Sequence, residues 1–139
     1  MPTYFKKILI VDKSDTDRFI LKKLLEKNEL AEEVIEAVSG MQALDILTSV
    51  GTKQDELPEL IFLEVNMNSI SGFQLLDILA KLSNDFIGRF RVVMMSTMND
   101  PADRKHAFQY GCVISFYAKP FTDDSLLQLD DRLRQSEAG

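Results

Sequence analysis

The chain of 139 residues has one cysteine, one histidine, four prolines, six glycines and no tryptophan. A lone Cys112 rules out an internal disulfide, and a lone His106 rules out a His-rich metal cluster. So few prolines and glycines leave no low-complexity tract and no linker between domains. No apolar run follows a basic stretch near the N-terminus, and none approaches the roughly 20 residues of a membrane span. Positive charge is also scarce: 16 Lys and Arg stand against 22 Asp and Glu, a net charge of −6. That balance argues against nucleic acid as a partner, because Lys and Arg neutralising phosphates supply most of such affinity. These absences predict a soluble, reduced, cytoplasmic single domain over residues 1–139, with no effector domain after its last helix and no membrane partner.

What is present is a hydrophobic share of 45%, arranged in short blocks. A chain of this length buries about two-thirds of its unfolded surface, so a core forms without staples. Five apolar runs stand out: Ile8–Val11, Val34–Ile35, Leu60–Leu63, Val92–Met95 and Val113–Tyr117. Four are nearly continuous, as strands buried on both faces require, and the short second run reads as an edge. Amphipathic stretches lie between them over Asp15–Lys27, Gly40–Thr48, Ser71–Leu82, Pro101–Tyr110 and Thr122–Arg134. Ser71, Asp100 and Thr122 are placed to cap three of these, Pro101 suits a first turn, and Gly111 suits a helix stop. Gly51–Pro58 and Ser83–Phe90 read as polar connections. Strand then helix, five times, at roughly 25 to 30 residues per unit, is the pattern of an α/β fold with a parallel sheet covered on both faces.

Open parallel sheets bind ligands beyond the carboxyl ends of their strands, where strand order reverses. The polar residues there are Asp12 and Lys13 after the first strand, Glu64 after the third, Ser96 and Thr97 after the fourth, and Lys119 after the fifth. A strand order of 2-1-3-4-5, reachable by right-handed crossovers, makes strands one and three neighbours and unites Asp12 with Glu64.

Ile8–Asp12, Leu63-Glu64-Val65-Asn66-Met67-Asn68 with Ser71-Gly72, Val93–Ser96 and Lys119-Pro120-Phe121 together resemble the receiver domain of bacterial two-component response regulators. Arg18 with Leu21, and Ser39-Gly40 with Ala43-Leu44, are similar to that family's first two helices. The resemblance implies a flavodoxin-like, doubly wound three-layer sandwich of five parallel strands. It implies a phosphoacceptor-equivalent position at Glu64 and an acidic-pair position at Asp12 and Lys13. It further implies a backbone carbonyl for metal at Asn66, a switch hydroxyl at Ser96 with an aromatic partner at Phe116, and a phosphate-facing Lys119. A family member works by protein contact with a histidine kinase, phosphotransfer protein or effector, through the fourth helix, fifth strand and fifth helix, where Arg104, Lys105, Gln109 and Gln128 fall.

The chain departs from that pattern at four places. Glu64 replaces the acceptor Asp, Lys13 replaces the second metal-binding acid, and Asn68 replaces a proline. An extra residue in Val113-Ile114-Ser115 lengthens the turn into the fifth strand. Mg²⁺ is usually anchored by one or two carboxylates plus substrate phosphate. A pocket of Asp12 and Glu64 against Lys13 and Lys119 carries no formal charge, so Lys13 is expected to do with an ammonium what the family does with a metal. Two opposite charges in contact are worth about 4 kcal/mol at an effective dielectric of 20. Glu64, one methylene longer than Asp, projects toward Lys119 and Ser96, into the space a phosphoryl group would fill.

These departures predict a non-enzymatic pseudo-receiver without cofactor, acting through protein contact, with Glu64 paired to Lys119. The competing readings are a working Mg²⁺-dependent phosphoacceptor, with Asp12, Glu64 and Asn66 on the metal and Asp15 assisting, and a flavodoxin-like small-molecule binder. The latter lacks a Gly-rich loop after its first strand. Plainer roles stand beside each residue: Asp12 as a helix cap, Lys13 as a solvated side chain, Lys119 as a structural ion pair, Ser96 as a turn residue with Thr97 as the hydroxyl if the register slips by one. His106 reads as a surface residue and Cys112 as a small buried one rather than a reactive thiol.

Overall fold

A computed structural model describes residues 5–49, 57–82 and 90–138, with side chains through residue 134. The two polar connections therefore lie mostly outside the described residues. Strands β1 (Phe5–Val11), β2 (Ala31–Ala37), β3 (Leu60–Glu64), β4 (Arg91–Ser96) and β5 (Val113–Ala118) alternate with helices α1 (Asp15–Lys27), α2 (Gly40–Ser49), α3 (Gly72–Leu82), α4 (Pro101–Ala107) and α5 (Asp123–Ala138). All strands are parallel, in the order β2-β1-β3-β4-β5. The expected doubly wound topology is thus the observed one.

Side chains alternate across each strand, so one sheet feeds two cores. Leu9, Val11, Ile61, Leu63, Val92, Met94 and Phe116 pack under α2, α3 and α4 with Leu47, Leu76 and Leu79. Ile8, Ile10, Leu60, Phe62, Val93 and Met95 pack under α1 and α5 with Leu21, Leu25, Leu129 and Leu133. Continuous apolar strands are explained by this two-sided burial. The edge strand β2 is different: it runs seven residues, with Glu32, Glu33 and Glu36 exposed, so its apolar run understates its length.

Several local expectations are met and others corrected. Asp100 accepts the Ala102 amide at 2.9 Å and caps α4, with Pro101 in the first turn. Ser71 and Gln74 form a reciprocal capping box at the start of α3. The cap of α1 is Ser14, whose hydroxyl accepts the Asp17 amide, and not Asp12. Helix α4 ends at Ala107, three residues before the expected end, because tight turns from His106 to Gln109 and Ala107 to Tyr110 replace the helical ladder. The extra residue before Phe116 does not lengthen the turn: it is absorbed inside the β4–β5 ladder, where the pairing steps from Val92–Val113 to Val93–Ser115 and leaves Ile114 as a bulge. On α1 the buried face is Arg18, Leu21 and Leu25, leaving Phe19 and Ile20 largely in solvent. His106 is exposed but not isolated; its ring stacks on Phe73 of α3 at 4.0 Å, and Tyr110 beside it donates to Asp77 at 2.7 Å.

Cys112 packs half-buried against the α2–α4 core, and burial pushes its thiol up to about 11 from 9.0. The folded protein therefore holds less thiolate than the unfolded chain at any lower pH, by about a hundredfold well below both values. Iodoacetamide at pH 8 is expected to alkylate the folded chain on the order of a hundredfold more slowly than the urea-unfolded chain. Comparable rates would show the thiol to be accessible and unperturbed. The sign for stability follows: a thiol raised on folding costs nothing below pH 9 and costs progressively more between 9 and 11.

Candidate functional site

The carboxyl ends of β1 and β3 are neighbours because Val11 pairs with Leu63 in register. By alternation Asp12 and Glu64 continue the α1–α5 side of the sheet, after Ile10 and Phe62. Both are almost wholly buried, at 1% and 2% exposure. Lys119, carried past the end of β5 and fixed by its amide donating to the Ser96 carbonyl at 2.8 Å, reaches back over them. Its ammonium lies 2.5 Å from Asp12 Oδ2 and 3.3 Å from Glu64 Oε1. A third carboxylate closes the cluster: Asp17 Oδ2, from the first turn of α1, accepts from the same Nζ at 2.8 Å.

Asp17 was not among the residues singled out from the sequence. An acid in a first turn is explained by the helix dipole alone, and nothing local points to a partner 102 positions away. Lys13, by contrast, is exposed and forms no ion pair among the described residues; it reaches Glu64 only through its longer-range field. A strand-end residue and its successor point to opposite sides, so Asp12 and Lys13 do not both face inward. The expected charge-neutral pocket is accordingly replaced by three carboxylates around one ammonium. Asp15 is exposed and pairs with Arg18.

Asp12 is held from several sides. Its Oδ1 accepts the Ser14 amide at 2.9 Å, and its carbonyl accepts from the buried Arg18 guanidinium at 2.6 Å. Arg18 is anchored in turn by Glu36 at 3.2 Å. Glu64 is less complete: Oε1 faces Lys119, whereas Oε2 is buried without a hydrogen-bond partner among the described residues. Burial raises the Glu64 pKa against the lowering field of Lys119, and the Asp12 charge raises it further. Burial alone disfavours the charged form of Lys119, but its hydrogen bonds to the carboxylates of Asp12 and Asp17 and the Glu64 charge outweigh it and raise its pKa.

Ser96 is fully buried at the end of β4, continuing the side of Val92 and Met94, and its hydroxyl accepts the Met98 amide at 3.1 Å. Phe116 is buried on that same side, paired with Met94. Ser96 and Phe116 thus fall together on the opposite side of the sheet from the carboxylates, while Thr97 is exposed. Asn66 is exposed in the loop after β3, which the Val65 and Gly72 amides tie to Met95 and Val65.

A family model, the response regulator receiver domain, matches residues 8–129. The chain belongs to this family. Among curated proteins the chain is 31% identical over 119 residues to a protein-glutamate methylesterase/protein-glutamine glutaminase of Burkholderia thailandensis, covering 84% of the chain but 30% of that protein. It is 27% identical to the sporulation initiation phosphotransferase F of Bacillus subtilis, covering 87% of each. The chain thus spans less than a third of the first relative and most of the second. A solved response regulator receiver protein of Dyadobacter fermentans superposes with a TM-score of 0.76 at 30% identity, over 91% of the chain and 96% of that structure. A two-component response regulator of Cytophaga hutchinsonii reaches a TM-score of 0.85 at 23% identity, over 95% and 98%, which supports the receiver fold itself.

A receiver pocket is expected to take Mg²⁺, and the donor set here can be tested against that ion. Mg²⁺ demands oxygens at about 2.0–2.1 Å in near-octahedral array. The carboxylate oxygens converge instead on an ammonium, and among the described residues no group of three or more ligating side chains is arranged to hold a metal ion. The residues do not fit Mg²⁺ while Lys119 stays where it is.

Proposed function

We propose that this receiver domain acts in two-component phosphorelay signalling as a pseudo-receiver: a non-enzymatic, cytoplasmic, cofactor-free module that works by protein contact. The observation that carries this reading is the ammonium of Lys119 held among Asp12, Asp17 and Glu64, with Glu64 standing at the acceptor position. Phosphoryl transfer depends on an in-line nucleophile and on neutralising the equatorial oxygens. A carboxylate one methylene longer and already paired meets neither need. A standing Glu64–Lys119 pair supplies instead a permanent charge contact of the kind the family makes transiently.

The partner surface in this reading is the face of α4, β5 and α5. Arg104 donates to the Phe116 carbonyl at 3.0 Å, and its guanidinium and that of Arg132 lie 5.6 and 5.9 Å from the Phe108 ring. Leu127, 65% exposed, lies on the same helix as Arg132. An aromatic ring flanked by two guanidinium groups is the composition of a protein-binding surface. Such a surface suits a histidine kinase, phosphotransfer protein or effector as partner. A working phosphoacceptor is the second reading, favoured by Asp17 restoring a third carboxylate near the acceptor position.

The two readings separate by mass. After incubation with a small-molecule phosphodonor and Mg²⁺, the native chain is expected to stay unmodified, and the Glu64→Asp, Lys13→Asp double variant to gain one phosphoryl group. A phosphoryl group on the native chain would sink the pseudo-receiver reading.

A further inference from the structure

We propose that Lys119 is the resident cation of a three-carboxylate site, that Asp17 is the positioning residue that keeps it there, and that a divalent cation can enter only when the ammonium is removed. The inference deepens the reading above and rests on it in one respect, that the chain does not use a metal to take a phosphoryl group.

Oxygens from three different elements, Asp12 after β1, Asp17 on α1 and Glu64 on β3, lie between 2.5 and 3.3 Å from one point, and that point is Nζ. An ammonium offers three donors and so matches three acceptors one to one. The Lys119 side chain is nearly buried, at 8% exposure, so the ammonium is not readily exchanged for a solvent ion. Asp17 is decisive because it is the half-exposed member and comes from the helix that closes over the site. Without it the ammonium retains two acceptors and one of its tethers is gone. Glu64 Oε2, buried without a hydrogen-bond partner among the described residues, is an acceptor that the ammonium leaves unfilled. Three carboxylates against one lysine leave excess negative charge, and oxygen-only donors select hard divalent ions over soft ones. Exposed Lys13 opposes such an ion by its field but does not occupy the site.

The probe is Mn²⁺ alone, added to the native chain, to Lys119→Ala, and to Lys119→Ala combined with Asp17→Asn. The native chain is expected to show no saturable binding at millimolar Mn²⁺. Lys119→Ala is expected to bind at least about tenfold more tightly, with broadening of amide resonances centred on residues 12, 17 and 64, and Asp17→Asn to reverse that gain. A second readout needs no loss of the lysine. The Nζ resonance of Lys119 in the native chain is expected to exchange slowly with water, to persist in Mn²⁺, and to be lost in Asp17→Asn. If Lys119→Ala does not fold, this resonance decides the matter. Its absence from the native chain, or indifference to Asp17→Asn, overturns the proposal. So does saturable Mn²⁺ binding by the native chain, or a folded Lys119→Ala that binds no better. A native chain that binds Mn²⁺ yet gains no mass from a phosphodonor would overturn the resident-cation assignment alone. A chain that gains mass while excluding Mn²⁺ would overturn the pseudo-receiver reading alone.

Discussion

Phe62→Ala is expected to remove about 3–5 kcal/mol of folding stability, the range for truncating a fully buried phenylalanine. Phe62 has no exposed surface and sits at the centre of β3, on the α1–α5 side. Its ring meets Phe121 edge to face at 5.3 Å, and Phe121 meets Tyr117 in the same way at 5.2 Å. The loss therefore has two parts, the transfer free energy of the ring and the cavity that a β-sheet and two helices cannot collapse to fill. With total stabilities of about 5–15 kcal/mol, such a loss leaves a marginal fold. Urea unfolding should show a midpoint lower by about 2 M at an unchanged slope. A loss below about 1.5 kcal/mol would mean that the ring's neighbours move in, and that this core is looser than its geometry indicates. The substitution also bears on the site, because Phe121 lies two residues beyond Lys119 and anchors the segment that aims it.

Gly72→Ala is expected to cost about 3 kcal/mol, at the upper end of the usual range for overpacking. A Cβ at Gly72 would lie 2.5 Å from the Glu64 carbonyl oxygen, 3.0 Å from Met94 Cε and 3.2 Å from Leu63 Cγ. The first of these is backbone at the buried end of the central strand, so it cannot swing aside as a side chain can. The close approach exists because the Gly72 amide donates to the Val65 carbonyl at 2.8 Å and draws the start of α3 onto the end of β3. The two other glycines among the described residues calibrate the effect. At Gly40 the nearest atoms belong to the Ile70 side chain, which can change rotamer, so Gly40→Ala should cost less. At Gly111 nothing lies within 4 Å, and Gly111→Ala should be neutral or stabilise by about 0.4–1 kcal/mol through the unfolded chain. Thermal or urea unfolding of the three variants tests the order. Equal effects at Gly72 and Gly40 would show that backbone and side-chain obstacles are equivalent here, contrary to the argument from rigidity. Because the obstructing atom is the carbonyl oxygen of Glu64, the strain that Gly72→Ala places on that residue's backbone should also perturb the Glu64–Lys119 contact.

What could be read from the sequence was whatever repeats along the chain or is decided within a few residues of itself. Four continuous apolar runs between amphipathic stretches demanded a sheet covered on both faces, and capping residues such as Ser71 and Asp100 act within their own helix turns. Asp12, Glu64, Ser96 and Lys119 were legible because they end apolar strands, a position local pattern marks without a structure. Lys13 could have been placed correctly from the same alternation, since two successive residues at a strand end face opposite ways. Tertiary structure alone decided what these residues touch. Asp17 meets Lys119 across 102 positions, from a place where the helix dipole already accounts for an acid. Ile114 becomes a bulge because the register between β4 and β5 is set by both strands together, not by either one. Phe19 and Ile20 are left outside and Arg18 drawn in because the sheet offers α1 one narrow stripe, and Arg18 satisfies the Asp12 carbonyl and Glu36 within it. The physical reason is common to all three: a sequence pattern states which side chains seek burial, while the partner of a charge or a pairing register depends on elements far along the chain, brought together only when the sheet closes.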